Sequence, residues 1–185
     1  AEHRPYFSTR GDAELGDVGR LRPELDFTGA KLRPAWLRAI LLEGASARPY
    51  MATRMPDFGR ANVAHLVELF PALDSTPDDL REPSFSLAAV EAGRTLVGTR
   101  GLGCIQCHTF AGQRSLGVPA VDLADLTRRL QPRWFKTLLA DPAALNQGTR
   151  MPLFWLNGKS PVGDLFDGDP AAQIDAIWTY LALGR

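Results

Sequence analysis

Gly103-Cys104-Ile105-Gln106-Cys107-His108 is the stretch on which the reading of this chain turns. Two thiols and an imidazole in the pattern Cys-x-x-Cys-His form an attachment signal for c-type haem. Each thiol adds across one vinyl group of the porphyrin, and the two intervening residues set the separation of the sulfurs. His108 then falls under the iron as the proximal ligand. Three other readings share these residues. A thioredoxin-like redox pair expects a strand–helix context and does not need the following histidine. A structural zinc site usually needs four ligands, whereas His3 and His65 are the only other histidines and there is no further cysteine. The third is a chance match of ordinary thiols.

Around this motif, helix signals recur and strand signals are scarce. Pro34 opens an apolar run that Gly44 follows, the usual punctuation of a helix start and stop. Val63, Leu66, Val67 and Phe70 fall at helical spacing from Arg60, and Pro71 is expected to stop them. Ser86 is placed to cap a helix running through Gly93 to Val97. Pro132 opens another, which Asp141-Pro142 is expected to end. Asp169-Pro170 opens a last helix carrying Ile174, Ile177, Trp178 and Leu181. Residues 73–83 read as a linker and residues 157–168 as a surface loop. The fold class expected is all-α.

The chain also resembles itself. Leu32-Arg33-Pro34-Ala35-Trp36-Leu37, followed by Thr53-Arg54-Met55-Pro56, is answered by Leu130-Gln131-Pro132-Arg133-Trp134-Phe135, followed by Thr149-Arg150-Met151-Pro152. Trp to Met spans 55 − 36 = 19 positions in one copy and 151 − 134 = 17 in the other. This is an internal duplication. Aligning Trp36 on Trp134 puts Tyr6 to Arg10 where Cys104 to His108 stand, so the first copy has no thiol or histidine with which to attach a haem in the same way. The expected organisation is a haem-less helical arm and linker over 1–82 and a haem-bearing domain over 83–185. Met55 is then a relic of ligation or a core residue, core being the safer reading.

The 185 residues balance 21 Lys and Arg against 21 Asp and Glu, so no strong global field points to nucleic acid or a membrane surface. No apolar run approaches the roughly 20 residues that span a bilayer. With two cysteines, both in one motif, there is no disulfide framework. A start at Ala1 suits a mature N-terminus after cleavage, and a trimmed chain would look the same.

From about Ser84 onward the sequence resembles a class I cytochrome c domain. A helix with Gly93 and Val97, the attachment motif, a downstream Met-Pro and a closing aromatic helix come in the family's order. The resemblance implies one haem c, bound through Cys104 and Cys107, with His108 and Met151 as axial ligands. A neutral thioether favours ferrous iron and raises the reduction potential. Met151 read without the resemblance is a flexible core filler. The resemblance also places a proline carbonyl, that of Pro119, against the proximal imidazole, where it would fix the ring. Gly93 and Tyr180 match the contact between first and last helices. Trp134, Trp155 and Trp178 read as core residues or as donors to a propionate, and Arg150 as a propionate partner or a solvated side chain.

The function so implied is outer-sphere electron transfer between redox partner proteins, not catalysis, in the periplasm or another extracytoplasmic compartment where such haem is attached. Two alternatives remain: a haem subunit of a larger oxidoreductase, with the arm as docking element, and a haem enzyme or gas sensor whose distal methionine is displaced.

Overall fold

The computed structural model describes residues 25–47, 55–74, 77–117, 120–146 and 148–183. Among these the only regular elements are helical; β pairing is limited to three isolated bridges. The all-α class therefore holds. The arm carries α1 (Thr28–Lys31), α2 (Pro34–Glu43), α3 (Arg60–Val63) and α4 (Leu66–Asp74). The second part carries α5 (Leu87–Val97), α6 (Leu126–Arg129), α7 (Pro132–Ala140), α8 (Pro142–Leu145) and α9 (Pro170–Leu181).

Capping chemistry explains most boundaries. Ser86 Oγ accepts from the Ala89 amide at 3.0 Å and starts α5. Asp169 Oδ1 accepts from the Ala172 amide at 2.6 Å and starts α9. Gly44 takes the left-handed conformation (φ 69°) that closes α2. One expectation is corrected. Pro71 does not stop a helix: the break falls earlier, at Ala64–His65, and Pro71 sits inside α4. In so short a helix a proline removes one backbone bond, and packing of α4 on α1 and α2 outweighs that loss. Asp141-Pro142 ends α7 but also begins α8, because Asp141 Oδ1 accepts from the Ala144 amide at 3.1 Å. The linker contains a 3₁₀ turn at Pro77–Leu80 that packs against α7.

The main core lies between α5 and α9, joined by α6 and α7. Leu96, Val97, Phe135, Ile174, Ile177, Trp178 and Leu181 are all buried there. The two long helices cross at Gly93. A Cβ on residue 93 would stand 2.7 Å from Tyr180 Cβ and closer still to the Ala176 carbonyl oxygen, so only glycine fits. Tyr180 in turn packs on Phe110, with ring centroids 5.4 Å apart.

The duplicated segments meet each other. Leu32 and Leu130, equivalent at an offset of 130 − 32 = 98, form an antiparallel bridge. Around it the bonds come in matched pairs. The Arg33 amide donates to the Arg129 carbonyl and the Gln131 amide to the Lys31 carbonyl, each at 2.9 Å. Arg33 Nε donates to the Leu130 carbonyl and Gln131 Nε2 to the Leu32 carbonyl, each at 3.0 Å. Lys31 Nζ lies 4.8 Å from the Trp134 ring centroid, and the Arg129 guanidinium 6.0 Å from that of Trp36. Every pair maps onto its partner at the same offset of 98, 129 − 31 or 131 − 33. The seam is isologous, as between subunits of a two-fold dimer, but both halves lie in one chain.

Two substitutions test this account by urea denaturation. Gly93→Leu should lower stability by about 1–3 kcal/mol, since added carbon overpacks the crossing. Gln131, wholly buried, also donates to the Gly29 carbonyl. Gln131→Leu should cost about 1–3 kcal/mol by leaving buried acceptors unpaired. Unchanged midpoints would remove the crossing and the seam, respectively, from the stabilising interactions.

Candidate functional site

The Cys-x-x-Cys-His motif lies shortly after the end of α5. The Leu102 amide donates back to the Leu96 carbonyl at 2.7 Å, which reverses the chain. Gly103 is left-handed (φ 70°), a conformation that admits the sharp entry into a 3₁₀ turn over Cys104–Gln106. The amides of Cys107 and His108 both donate to the Cys104 carbonyl, at 3.2 and 2.9 Å. The two thiols and the imidazole are therefore carried on one tight coil whose shape is fixed by its own backbone bonds.

A second segment pins the imidazole. Residues 120–124 run beside 107–109. The Ala120 amide donates to the Cys107 carbonyl at 2.6 Å and the Leu123 amide to the Thr109 carbonyl at 2.9 Å. Thr109 Oγ1 donates to Asp122 Oδ2 at 2.9 Å, and Asp122 Oδ1 accepts from the Ala124 amide at 2.7 Å. His108 Nδ1 stands 2.7 Å from the Val121 carbonyl oxygen. A carbonyl can only accept, so Nδ1 carries the proton and Nε2 keeps its lone pair. Pro119, the residue expected at this position, lies outside the described residues; the carbonyl that meets the ring is that of Val121.

Electrostatics favour the same state of the ring. Burial lowers the His108 pKa below the usual imidazole value. The Val121 bond and the Asp122 carboxylate oppose this, and the Arg129 charge adds to it. The ring is therefore held neutral, as a metal ligand requires. Burial raises the Cys104 thiol to about 11, with Cys107 beside it adding to the rise and a backbone hydrogen bond opposing it. Cys107 is exposed. The motif thus keeps one covered thiol and one open one.

Met151 is half-buried and packs against the same core as Cys104 and Ile105. Its amide donates to Thr149 Oγ1 at 3.2 Å, which braces the Met-Pro step. Met55, the equivalent methionine of the arm, is 50% exposed, so the core role expected for it is not observed. Trp155 and Trp178 are structural. The Trp155 indole donates to Gln173 at 3.0 Å and that of Trp178 to Glu82 at 2.6 Å. Trp134 is half-buried under Lys31, and Arg150 is exposed.

Two contacts around the candidate site escaped the sequence. Val121 acts through its backbone, which no side-chain pattern marks. Gln173, fully buried, accepts from Trp155 and Ser160 and donates to the carbonyls of Val162 and Leu165 at 2.8 Å each. It ties the loop that follows Met151 to α9, and in sequence it is one polar residue in a helix. A cavity of about 370 Å³ opens beside the imidazole, walled by Arg94, Val97, Phe110, Arg114 and Tyr180. Neither cysteine nor Met151 lines it among the described residues, so it borders the ring from the side of α5 and α9.

The donor set suits a haem better than a bare ion. Among the described residues no three His, Cys, Asp or Glu side chains converge on a metal-sized site. Two adjacent thiols with one oriented imidazole match the two vinyl groups and single proximal position of a haem. No protein-family model, curated protein or solved structure matches this chain.

Alkylation checks the state of the two thiols. In the haem-free polypeptide under native conditions, iodoacetamide should label exposed Cys107 well before Cys104, as peptide mass mapping would show. Equal rates would mean that Cys104 is not shielded by the fold.

Proposed function

We propose that this protein carries one covalently attached haem c and transfers single electrons between redox partner proteins. The observation that carries the reading is the His108 imidazole. It is held neutral on the coil of both cysteines, with Nδ1 bonded to Val121 and Nε2 left to ligate. Cys104 and Cys107 would hold the group through thioethers, each formed by adding S–H across a vinyl C=C. Met151 would complete axial ligation. A haem so bound supplies an iron that alternates between ferrous and ferric states, its potential raised by the thioether. With both axial positions filled by the chain, no site is left for substrate.

The remaining residues serve rigidity. Val121 fixes the ring plane, and Asp122 and Thr109 lock the segment that carries Val121. Gln173 and Thr149 brace the two sides of the Met-Pro step. A pre-organised coordination shell changes little between oxidation states, which favours fast transfer.

One observation favours a second reading, in which the chain is a subunit of a larger oxidoreductase. Phe58, Leu69 and Leu73 on the arm are exposed, and α4 buries none of its residues fully. Apolar side chains left open on the arm suit a docking role. The two readings are compatible.

Two measurements test the proposal. Acidified organic solvent applied to the denatured protein should leave the colour on the chain, and the intact mass should exceed the bare chain by one haem. Colour that leaves with the solvent ends the reading. Met151→Leu should abolish the weak near-infrared sulfur-to-iron band and lower the reduction potential. Met55→Leu should leave both unchanged. The opposite pattern would make Met55 the ligand.

A further inference from the structure

The cavity of about 370 Å³ beside His108 has no task in the electron-transfer reading. Neither cysteine nor Met151 lines it, so it lies outside the ligand set proposed for the haem. Its walls are held in place from both sides. On one side stands the last turn of α5, with Arg94 and Val97. On the other runs the segment from Phe110 to Leu116. Phe110 and Gln113 exchange backbone bonds of 3.1 and 2.9 Å, which close a tight turn. The two central residues, Ala111 and Gly112, both take positive φ, 48° and 79°. Glycine adopts that conformation freely, whereas an alanine keeps it only where its surroundings impose it. Beyond the turn the Leu116 amide donates to the Ile105 carbonyl at 3.0 Å, which pins the segment to the motif. The space is therefore preformed. Its volume lies at the small end of the roughly 300–1,000 Å³ usual for small-molecule sites.

The lining divides into two chemistries. Val97, Phe110 and Tyr180 give an apolar floor, with Phe110 itself buried. Arg94 and Arg114 bring two positive charges, and Gln113 adds a side-chain amide. Among the described residues no carboxylate lines the cavity. Neither guanidinium has an acidic partner there, whereas Arg33, Arg38 and Arg128 each have one. Two like charges sharing one recess make a local positive potential that favours an anion. A carboxylate meets guanidinium groups through charge-assisted hydrogen bonds. An apolar body attached to it would cover the aromatic floor.

We propose that this cavity binds a small amphipathic carboxylate. Arg94 and Arg114 hold its head, and Val97, Phe110 and Tyr180 receive its apolar body. The site is made wholly by the chain and does not depend on the haem reading.

The test is calorimetric titration of the full-length protein, as isolated, with 2-naphthoate. Binding is expected, with acetate and uncharged 2-naphthamide each roughly tenfold or more weaker, since each lacks one half of the match. Arg94→Gln and Arg114→Gln, both at exposed positions, should each weaken 2-naphthoate by roughly tenfold, the effect of losing a charge-assisted hydrogen bond. Arg100→Gln, at an exposed arginine outside the cavity, should leave binding unchanged. In the wild type the amide resonances of Gly98 and Leu116, on opposite walls, should shift during the titration, which reads the site even where a variant fails to fold. The assignment is overturned by absence of binding, or by acetate or 2-naphthamide binding as tightly as 2-naphthoate. It is overturned equally by a loss on Arg100→Gln matching that of the cavity variants, or by a titration that shifts neither amide.

Discussion

The missing Cβ at residue 93 is the constraint on which the rest of the fold hangs. With any other residue there, α5 and α9 would be pushed apart by the Ala176 carbonyl and Tyr180. Their close crossing buries Leu96, Val97, Ile174 and Ile177 and fixes where α5 ends. The motif begins six residues after Gly98, on a chain turned back by the Leu102–Leu96 bond, so its position is inherited from the crossing. The same helix pair sets Tyr180 against Phe110, two residues beyond His108. A single small residue therefore positions the imidazole from a distance, through packing that cannot shift by fractions of an ångström without loss.

The second organising feature is the seam between the repeats. Duplicated segments often sit side by side; here equivalent residues contact each other, so the bonds flanking the Leu32–Leu130 bridge come in matched pairs. That is the geometry of a homodimer written into one chain. Covalent linkage removes the concentration dependence that a dimer would have. It also frees the two copies to diverge: one keeps thiols and imidazole, the other keeps the contact surface. Arg33 shows the divergence. Its Nε repeats the bond made by Gln131, but its guanidinium also meets Glu82, which accepts from the Trp178 indole. The arm is thereby tied to the last helix as well as to its twin.

Much of this was legible in the sequence, and the gaps have physical causes. Helix starts were readable because caps are local: Ser86, Asp169 and Pro34 do in the fold what their side chains dictate within four residues. Pro71 misled because its local cost is modest and tertiary packing of α4 overrode it. The Gly93–Tyr180 contact followed from family likeness, not from any local rule. The Val121 carbonyl could not be read, since every residue carries one and only the path of the chain selects it. Met55 looked like Met151 in its Thr-Arg-Met-Pro setting, yet one is exposed and the other packs on the core. Sequence likeness reports shared ancestry of a segment; burial depends on what the other segments place over it.

The same distinction bears on how the chain would work as an electron carrier. Rapid transfer needs a coordination shell that does not rearrange, and each element around His108 is restrained from more than one direction. The ring is bonded to Val121, whose segment is bonded to Cys107 and Thr109, whose coil is bonded to itself and to the end of α5. Polar groups in this shell are paired within the chain, so little water need reorganise when charge changes. The arm extends that restraint. It covers the α6–α7 junction, where Arg129 is buried. The arm carries no copy of the motif, yet it bonds to both ends of the α6–α7 junction, through the Arg33 amide to the Arg129 carbonyl and through the Lys31 carbonyl to the Gln131 amide.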